Sequence, residues 1–235
     1  MKKSKNLERL RIETVYNGYL NNKKVINKWS EKNIGNQISI KDRNSKVKDL
    51  FIKNNLDIKN AKILDLGCAS GNFINSLLNI GIRKKNITGI DIRKNSIKNA
   101  KKRFPEIRFE LMDARKLEYS DNTFDCIIIF TLFSSVLKSL DRKKIAEEAK
   151  RVLKPTGLII YYDVRMNNPF NKNIIGMNKK ELSRIFYDMK FVCARITLIP
   201  PIARNLGIAT SMLYPILCKL PFLNSHYICS LKVKD

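Results

Sequence analysis

The sequence predicts an α/β fold organised on a mainly parallel sheet. Three observations carry that expectation. From Lys62 onward, short apolar runs with strand character alternate with segments of helical apolar spacing. The first of these runs, Ile63-Leu64-Asp65-Leu66, passes into Gly67-Cys68-Ala69-Ser70-Gly71 and then a helical pattern, so strand, glycine turn and helix follow without a break. A carboxylate stands at the end of each of the first three strands: Asp65, Asp91 and Asp113.

Residues 1–28 are polar with uneven apolar spacing and predict one or two helices. A further helix is expected from about Asp42 to Asn54, with a loop around Gly35. The first strand is expected at Lys62–Leu66 with its helix at Gly71–Ile80. The second strand is expected at Ile87–Ile92 with a helix at Ser96–Arg103, and the third strand at Ile107–Met112. The fourth strand is Cys126–Phe130, a nearly pure β-branched and aromatic run. Its helix spans Asp141–Leu153, with Asp141 as N-cap. Lys154-Pro155-Thr156-Gly157 reads as a turn into the fifth strand, Leu158–Tyr162. A helix over Asn178–Met189 and two β stretches, Phe191–Leu198 and Tyr227–Val233, complete the chain. Between the last two lies an apolar helix, about Leu206 to Leu220.

A chain of 235 residues accommodates a sizeable core, and its 44% hydrophobic content is ordinary. The net charge of +25 is not. A polyanionic partner such as RNA, DNA or an anionic membrane would explain it, and so would an AT-rich coding bias toward Lys, Asn and Ile. The lysines run from Lys2 to Lys234 without a block, which favours bias over a nucleic-acid footprint. Five cysteines include no C-x-x-C pair and sit mostly in apolar contexts, so they read as reduced core residues. With a single histidine, no metal site is expected. The N-terminus lacks an apolar run behind its charges, and the nearest span of membrane length, Leu198 to Leu217, is interrupted by Arg204 and prolines. A cytoplasmic protein is expected.

The glycine corner suits a nucleotide-like ligand, but not every kind. A dinucleotide site asks for G-x-G-x-x-G, and Ala69 and Asn72 stand at its second and third glycine positions. Asp65 would repel a pyrophosphate, and no Gly-Lys-Ser/Thr follows for a P-loop. A carboxylate there suits a ligand with positive charge and no phosphate, such as S-adenosylmethionine.

Asp65-Leu66-Gly67-Cys68-Ala69-Ser70-Gly71 resembles the first motif of class I S-adenosylmethionine-dependent methyltransferases, D-x-G-C-G-x-G, with Ala69 for the middle glycine. The resemblance runs over roughly residues 60–235 and resembles most a bacterial subgroup of type 11-like members. It implies a Rossmann-like seven-stranded sheet with helices on both faces, N-terminal helices, and an inserted helix in the C-terminal hairpin. It also implies a helical cap over 1–58 and a catalytic domain over 59–235. S-adenosyl-L-methionine would be held by Asp65, Gly67, Ala69 and Gly71. Asp91 would take the ribose hydroxyls and Ile92 a face of the adenine. Asp113 and Ala114 would meet the adenine edge, and Thr131 would lie under the methionine part. In plainer readings Asp91 is a helix cap and Asp113 a turn residue.

The tip Phe130-Thr131-Leu132-Phe133 lacks the Asn/Asp-Pro-Pro-Tyr/Phe of amine methyltransferases, which makes nucleobase amines less suitable acceptors. Arg151-Val152-Leu153-Lys154-Pro155-Thr156-Gly157 resembles the family's turn before strand five. The subgroup is associated with glycan-related gene neighbourhoods, so a small-molecule or glycan-linked oxygen acceptor is expected. Tyr162, Arg165, Asn168 and Arg204 are the substrate-binding candidates; Asp163 and His226 are the candidate bases for an alcohol. Two alternatives stand beside this: an RNA methyltransferase, and a cofactor-binding protein without turnover that meets a membrane surface through the apolar stretch Ser211–Leu223.

Overall fold

The computed structural model describes residues 2–30 and 32–234, with side chains described from Leu7 onward. The chain divides into two compact units. One comprises residues 1–46 and 195–226, the other 47–194 and 227–235. The N-terminal residues up to 46 group with the insertion near the C-terminus.

The larger unit holds the sheet. Its strands are β1 (Ile63–Leu66), β2 (Ile87–Asp91), β3 (Arg108–Leu111), β4 (Phe124–Phe130), β5 (Leu153–Val164), β6 (Met189–Leu198) and β7 (Asn224–Val233), the last two continuing into the smaller unit. Their order is β3-β2-β1-β4-β5-β7-β6, and β1 to β5 pair in parallel. The contacts between β6 and β7 run the other way. Lys234 N–H donates to Asp188 O, Cys193 is bonded to Cys229, and Ser225 Oγ donates to Thr197 O, so partners rise on one strand as they fall on the other. The sheet is thus mixed, with an antiparallel hairpin at one edge. β1 and the middle of β4 are wholly buried, as strands covered on both faces are.

The helices are α1 (Lys2–Asn21), α2 (Lys23–Lys28), α3 (Ile34–Lys53), α4 (Ile74–Ile80), α5 (Lys94–Arg103), α6 (Ser139–Val152), α7 (Lys179–Ile185), α8 (Pro200–Asn205) and α9 (Thr210–Leu217). Some expected bounds hold and others move. α4 starts later, at Ile74, but ends at Ile80 as expected, before Gly81, which takes φ +111° and donates its N–H back to Leu77 and Leu78 carbonyls. Asn178 caps α7 by accepting from Glu181 N–H. Asp141 does not cap α6; Lys138 holds that place, and Asp141 lies in the first turn, ion-paired to Arg115 at 3.0 Å. The expected turn at Lys154–Gly157 is a bulge inside a longer β5: Phe124 pairs with Leu153, and Cys126 with Leu158. Two cysteines expected to be reduced, Cys193 and Cys229, form a disulfide, because the hairpin register sets them side by side with their Cα atoms 4.1 Å apart.

In the smaller unit, Leu198, Ala203 and Tyr214 form a buried cluster with Ile38, Ile202, Leu206, Leu217, Cys218 and Leu223 packed on it. The insertion therefore has its own apolar anchor on α3. Gly35, expected in a loop, lies in the first turn of α3, where a Cβ would stand 2.0 Å from Ala203 O. Only the lack of a side chain permits that approach. Gly35→Ala is expected to destabilise this unit by about 2 kcal/mol, the cost of forcing an overpacked contact apart. Thermal unfolding followed by circular dichroism measures it, and an unchanged midpoint would show that α3 and α8 are not held this closely.

Candidate active site

Five parallel strands end along one edge of the larger unit. Their register puts Leu66 beside Ile90 and Ile129, Asp91 beside Leu111, and Phe130 beside Tyr162. Ligands of open α/β sheets bind along such a carboxyl edge. Asp65 sits one residue short of the end of β1, buried. The chain then turns with φ of +82° at Gly67, +49° at Ala69 and +74° at Gly71. Two of these left-handed positions are glycine; Ala69 holds the third at the strain of a Cβ in that region.

The turn is tied to β2. Ile90 O accepts from both Gly67 N–H (2.9 Å) and Cys68 N–H (2.8 Å), and Asp91 Oδ2 accepts from Ala69 N–H (3.0 Å). Asp91 Oδ1 accepts from Arg93 N–H at 2.8 Å, and the Arg93 guanidinium folds back on the same carboxylate at 3.2 and 3.4 Å. Asp65 and Asp91 both act on Cys68: burial first, then these two charges, push its thiol far above the ordinary range, so it stays protonated and inert.

Asp113 repeats the arrangement one strand over. Its Oδ1 accepts from Arg115 N–H at 2.9 Å, and the Arg115 guanidinium grips both oxygens at 2.8 to 3.1 Å while also donating to Asp141. The two arginines are the residues that reading the sequence missed. The signal was present as a repeated Asp-x-Arg, in Asp91-Ile92-Arg93 and Asp113-Ala114-Arg115. Ile92 and Ala114, the residues between, are half-buried beside these clasps.

Thr131, beyond β4, is exposed and takes φ +49°, uncommon for a β-branched residue. Its N–H donates to Tyr162 O at 2.7 Å, and its carbonyl accepts from the hydroxyls of Ser134 and Ser135. Phe130 carries an aromatic group at the same edge, its ring centroid 4.5 Å from Phe73 and 5.4 Å from Tyr162. Tyr162 is buried and packed against Phe130. Arg165 is half-buried just past β5, and Asn168, exposed, accepts from Phe170 N–H to close a turn.

The two candidate bases are placed otherwise than expected. Asp163 is 0% exposed; its Oδ2 accepts from Ser134 N–H (3.0 Å) and its Oδ1 from Val164 N–H (2.8 Å). Burial pushes its carboxyl up to about 6, against the lowering by the Ser134 bonds. Its contacts tie the segment after β4 to the end of β5. His226 belongs to the smaller unit, buried, with Nδ1 2.8 Å from Ser225 Oγ. Burial and the Arg43 charge drive its imidazole down to about 3, too weak a base for an alcohol at neutral pH. Arg204, in the same unit, lies with its guanidinium 4.9 Å from the Trp29 ring centroid and donates to Lys28 O, so its expected anion-binding role has a packing competitor. No group of metal-ligating side chains occurs among the described residues.

The group the motif implies is a cationic nucleoside. The donor set fits it: carboxylates at or next to successive strand ends beside a turn with three left-handed positions, two of them glycine.

Comparison with known proteins agrees with this geometry. A family model described as a methyltransferase domain matches residues 57–199. The ubiquinone/menaquinone biosynthesis C-methyltransferase UbiE of Desulfotalea psychrophila is 34% identical over 117 residues, 48% of this chain and 44% of that protein. The sterol 4-C-methyltransferase strm-1 of Caenorhabditis elegans is 26% identical over 142 residues, 57% of this chain and 39% of the relative. The chain thus spans under half the length of these two relatives in the match. Among solved structures, an S-adenosylmethionine-dependent methyltransferase from Clostridium acetobutylicum superposes with a TM-score of 0.61 at 14% identity, covering 82% of this chain and 91% of that one. One from Methanosarcina mazei gives 0.56 at 19%, covering 79% and 98%. These likenesses show a shared fold.

Asp163 has a testable signature. Its carboxyl sits above the ordinary value of 3.8, so the stability it contributes is full below that value and is lost as pH rises through about 6. Two units correspond to about 3 kcal/mol. Wild type is expected to lose that much relative to Asp163→Asn between pH 4 and pH 7, by urea unfolding at each pH; parallel curves for the two proteins would refute the buried placement.

Proposed function

Because this chain belongs to the methyltransferase domain family, we propose that it transfers a methyl group from S-adenosylmethionine to a small-molecule acceptor, at carbon. The methyl donor of this family is S-adenosylmethionine. The observation that carries the reading is the Asp91 latch: one carboxylate at the end of β2 accepts from Ala69 N–H in the glycine turn after β1 and from Arg93 N–H.

Asp65, Gly67, Ala69 and Gly71 would receive the amino-acid end of the donor, with the Asp65 charge facing its ammonium. Asp91 would keep its two backbone donors and exchange the Arg93 guanidinium for the ribose hydroxyls, since a carboxylate has about four acceptor positions and Arg93 now fills those left over. Ile92 would cover one face of the adenine. Asp113 and Ala114 would meet its edge, once the Arg115 clasp shifts toward Asp141. Thr131 would border the methionine part. When bound, the sulfonium supplies an already activated methyl group, so this chain's task is alignment. Phe73, Phe130 and Tyr162 would form the apolar wall beside the reacting centre, with Arg165 and Asn168 nearest the acceptor after β5.

Carbon is preferred to oxygen on two grounds. The relatives named above bear the names of carbon methyltransferases. And Asp163 and His226 occupy placements that suit holding the fold more than deprotonating an alcohol. A carbon made nucleophilic by its own substituents needs alignment more than it needs a protein base.

Asp91→Ala is expected to weaken S-adenosylhomocysteine binding by roughly 30- to 1,000-fold, from the loss of charge-assisted hydrogen bonds worth about 2–4 kcal/mol together. Isothermal titration measures it, and an unaltered Kd would remove Asp91 from the site. For the acceptor, the enzyme is given S-adenosylmethionine with a 13C-labelled methyl and a short-chain demethylated quinol. Product NMR is expected to show the label on ring carbon; label on oxygen alone would overturn the carbon assignment.

A further inference from the structure

We propose that the insertion between β6 and β7 docks on an anionic lipid bilayer surface. Independently of the methyltransferase reading, α9 carries this inference. Its inner side is settled: Thr210 and Tyr214 are buried, with Leu217 and Cys218 packed on the cluster around Leu198 and Ala203. Its outer side would ordinarily be polar. Instead Ile208, in the turn before α9, is 97% exposed, Met212 67% and Ile216 56%. These three recur every four residues, so they line one face of the helical stretch. A helix apolar on both sides, with one side in the core and the other in water, has an unmet partner on the outside.

Charge decides which partner. Residues 195–226 contain Arg195, Arg204 and Lys219 and no acidic residue. The whole smaller unit carries fifteen lysines and arginines against four acids. Lys219 follows Ile216 by three positions, near enough for its stem to lie along the stripe while its ammonium reaches outward. Apolar side chains that enter a bilayer surface next to cations that meet phosphate headgroups form the pattern of an interfacial segment. A second copy of this chain is the poorer occupant, because two such faces would bring like charges together. No helix among the described residues is long and apolar enough to cross a membrane, so this segment would lie on the surface.

The test is flotation of the full chain with vesicles of equimolar phosphatidylglycerol and phosphatidylcholine, or of phosphatidylcholine alone, at physiological salt. Wild type is expected to float with the anionic vesicles and stay at the bottom with the neutral ones. The double variant Met212→Glu, Ile216→Glu is expected to lose at least about tenfold in partitioning, since two apolar contacts are exchanged for repelled charges. Circular dichroism and S-adenosylhomocysteine titration, both expected unchanged, would show that the variant is folded. Wild type remaining at the bottom with anionic vesicles would overturn the proposal. So would equal flotation of the variant or of the neutral sample. A wild-type dimer in light scattering that the double variant dissolves would equally overturn it, by giving the stripe to a second copy.

Discussion

The arrangement of the carboxyl edge depends on one carboxylate. Asp91, at the end of β2, accepts from Ala69 N–H, while the carbonyl before it accepts from Gly67 and Cys68. Those three bonds hold a turn in which alternate residues take positive φ, a geometry that would otherwise relax into ordinary loop conformations. The consequence is local and electrostatic at once. The Asp91 carboxylate is thereby fixed at the strand end by the same bonds that shape the turn.

Keeping several carboxylates at adjacent strand ends is costly unless each is paired. The chain solves this twice in the same way, with an arginine two residues after the aspartate. Arg93 and Arg115 each hold their partner through a backbone N–H and a guanidinium, so the charges are satisfied within one short segment. Asp163 differs. It has no arginine; hydrogen bonds from Ser134 and from the Val164 N–H only partly offset its desolvation, which raises its carboxyl. The same residue type thus serves as a paired edge carboxylate in one place and as a buried brace in another.

The smaller unit is organised by an apolar cluster and by close backbone approach. Gly35 admits the Ala203 carbonyl, Asn36 donates to Lys28 and Ser30 carbonyls, and Asn33 donates to Arg204 O. Side-chain amides satisfy helix-end carbonyls where helices of few residues meet. That leaves the outer side of α9 free to carry residues that packing does not require.

The alternation of strands and helices, the glycine turn and the carboxylates at the strand ends were all legible in the sequence, because each depends on residues near one another in the chain. Periodicity, a left-handed turn and a strand terminus are local properties. The family followed from the same short stretch. What required the tertiary structure depends on residues far apart. The Cys193–Cys229 bond needs the hairpin register, and the grouping of residues 1–46 with 195–226 needs the cluster around Leu198 and Tyr214. Asp163 and His226 look alike on paper as titratable groups near strand ends. Their burial and the groups that surround them, Ser134 and Val164 for one and Ser225 and Arg43 for the other, decide what protons they can hold, and no sequence window contains those neighbours together.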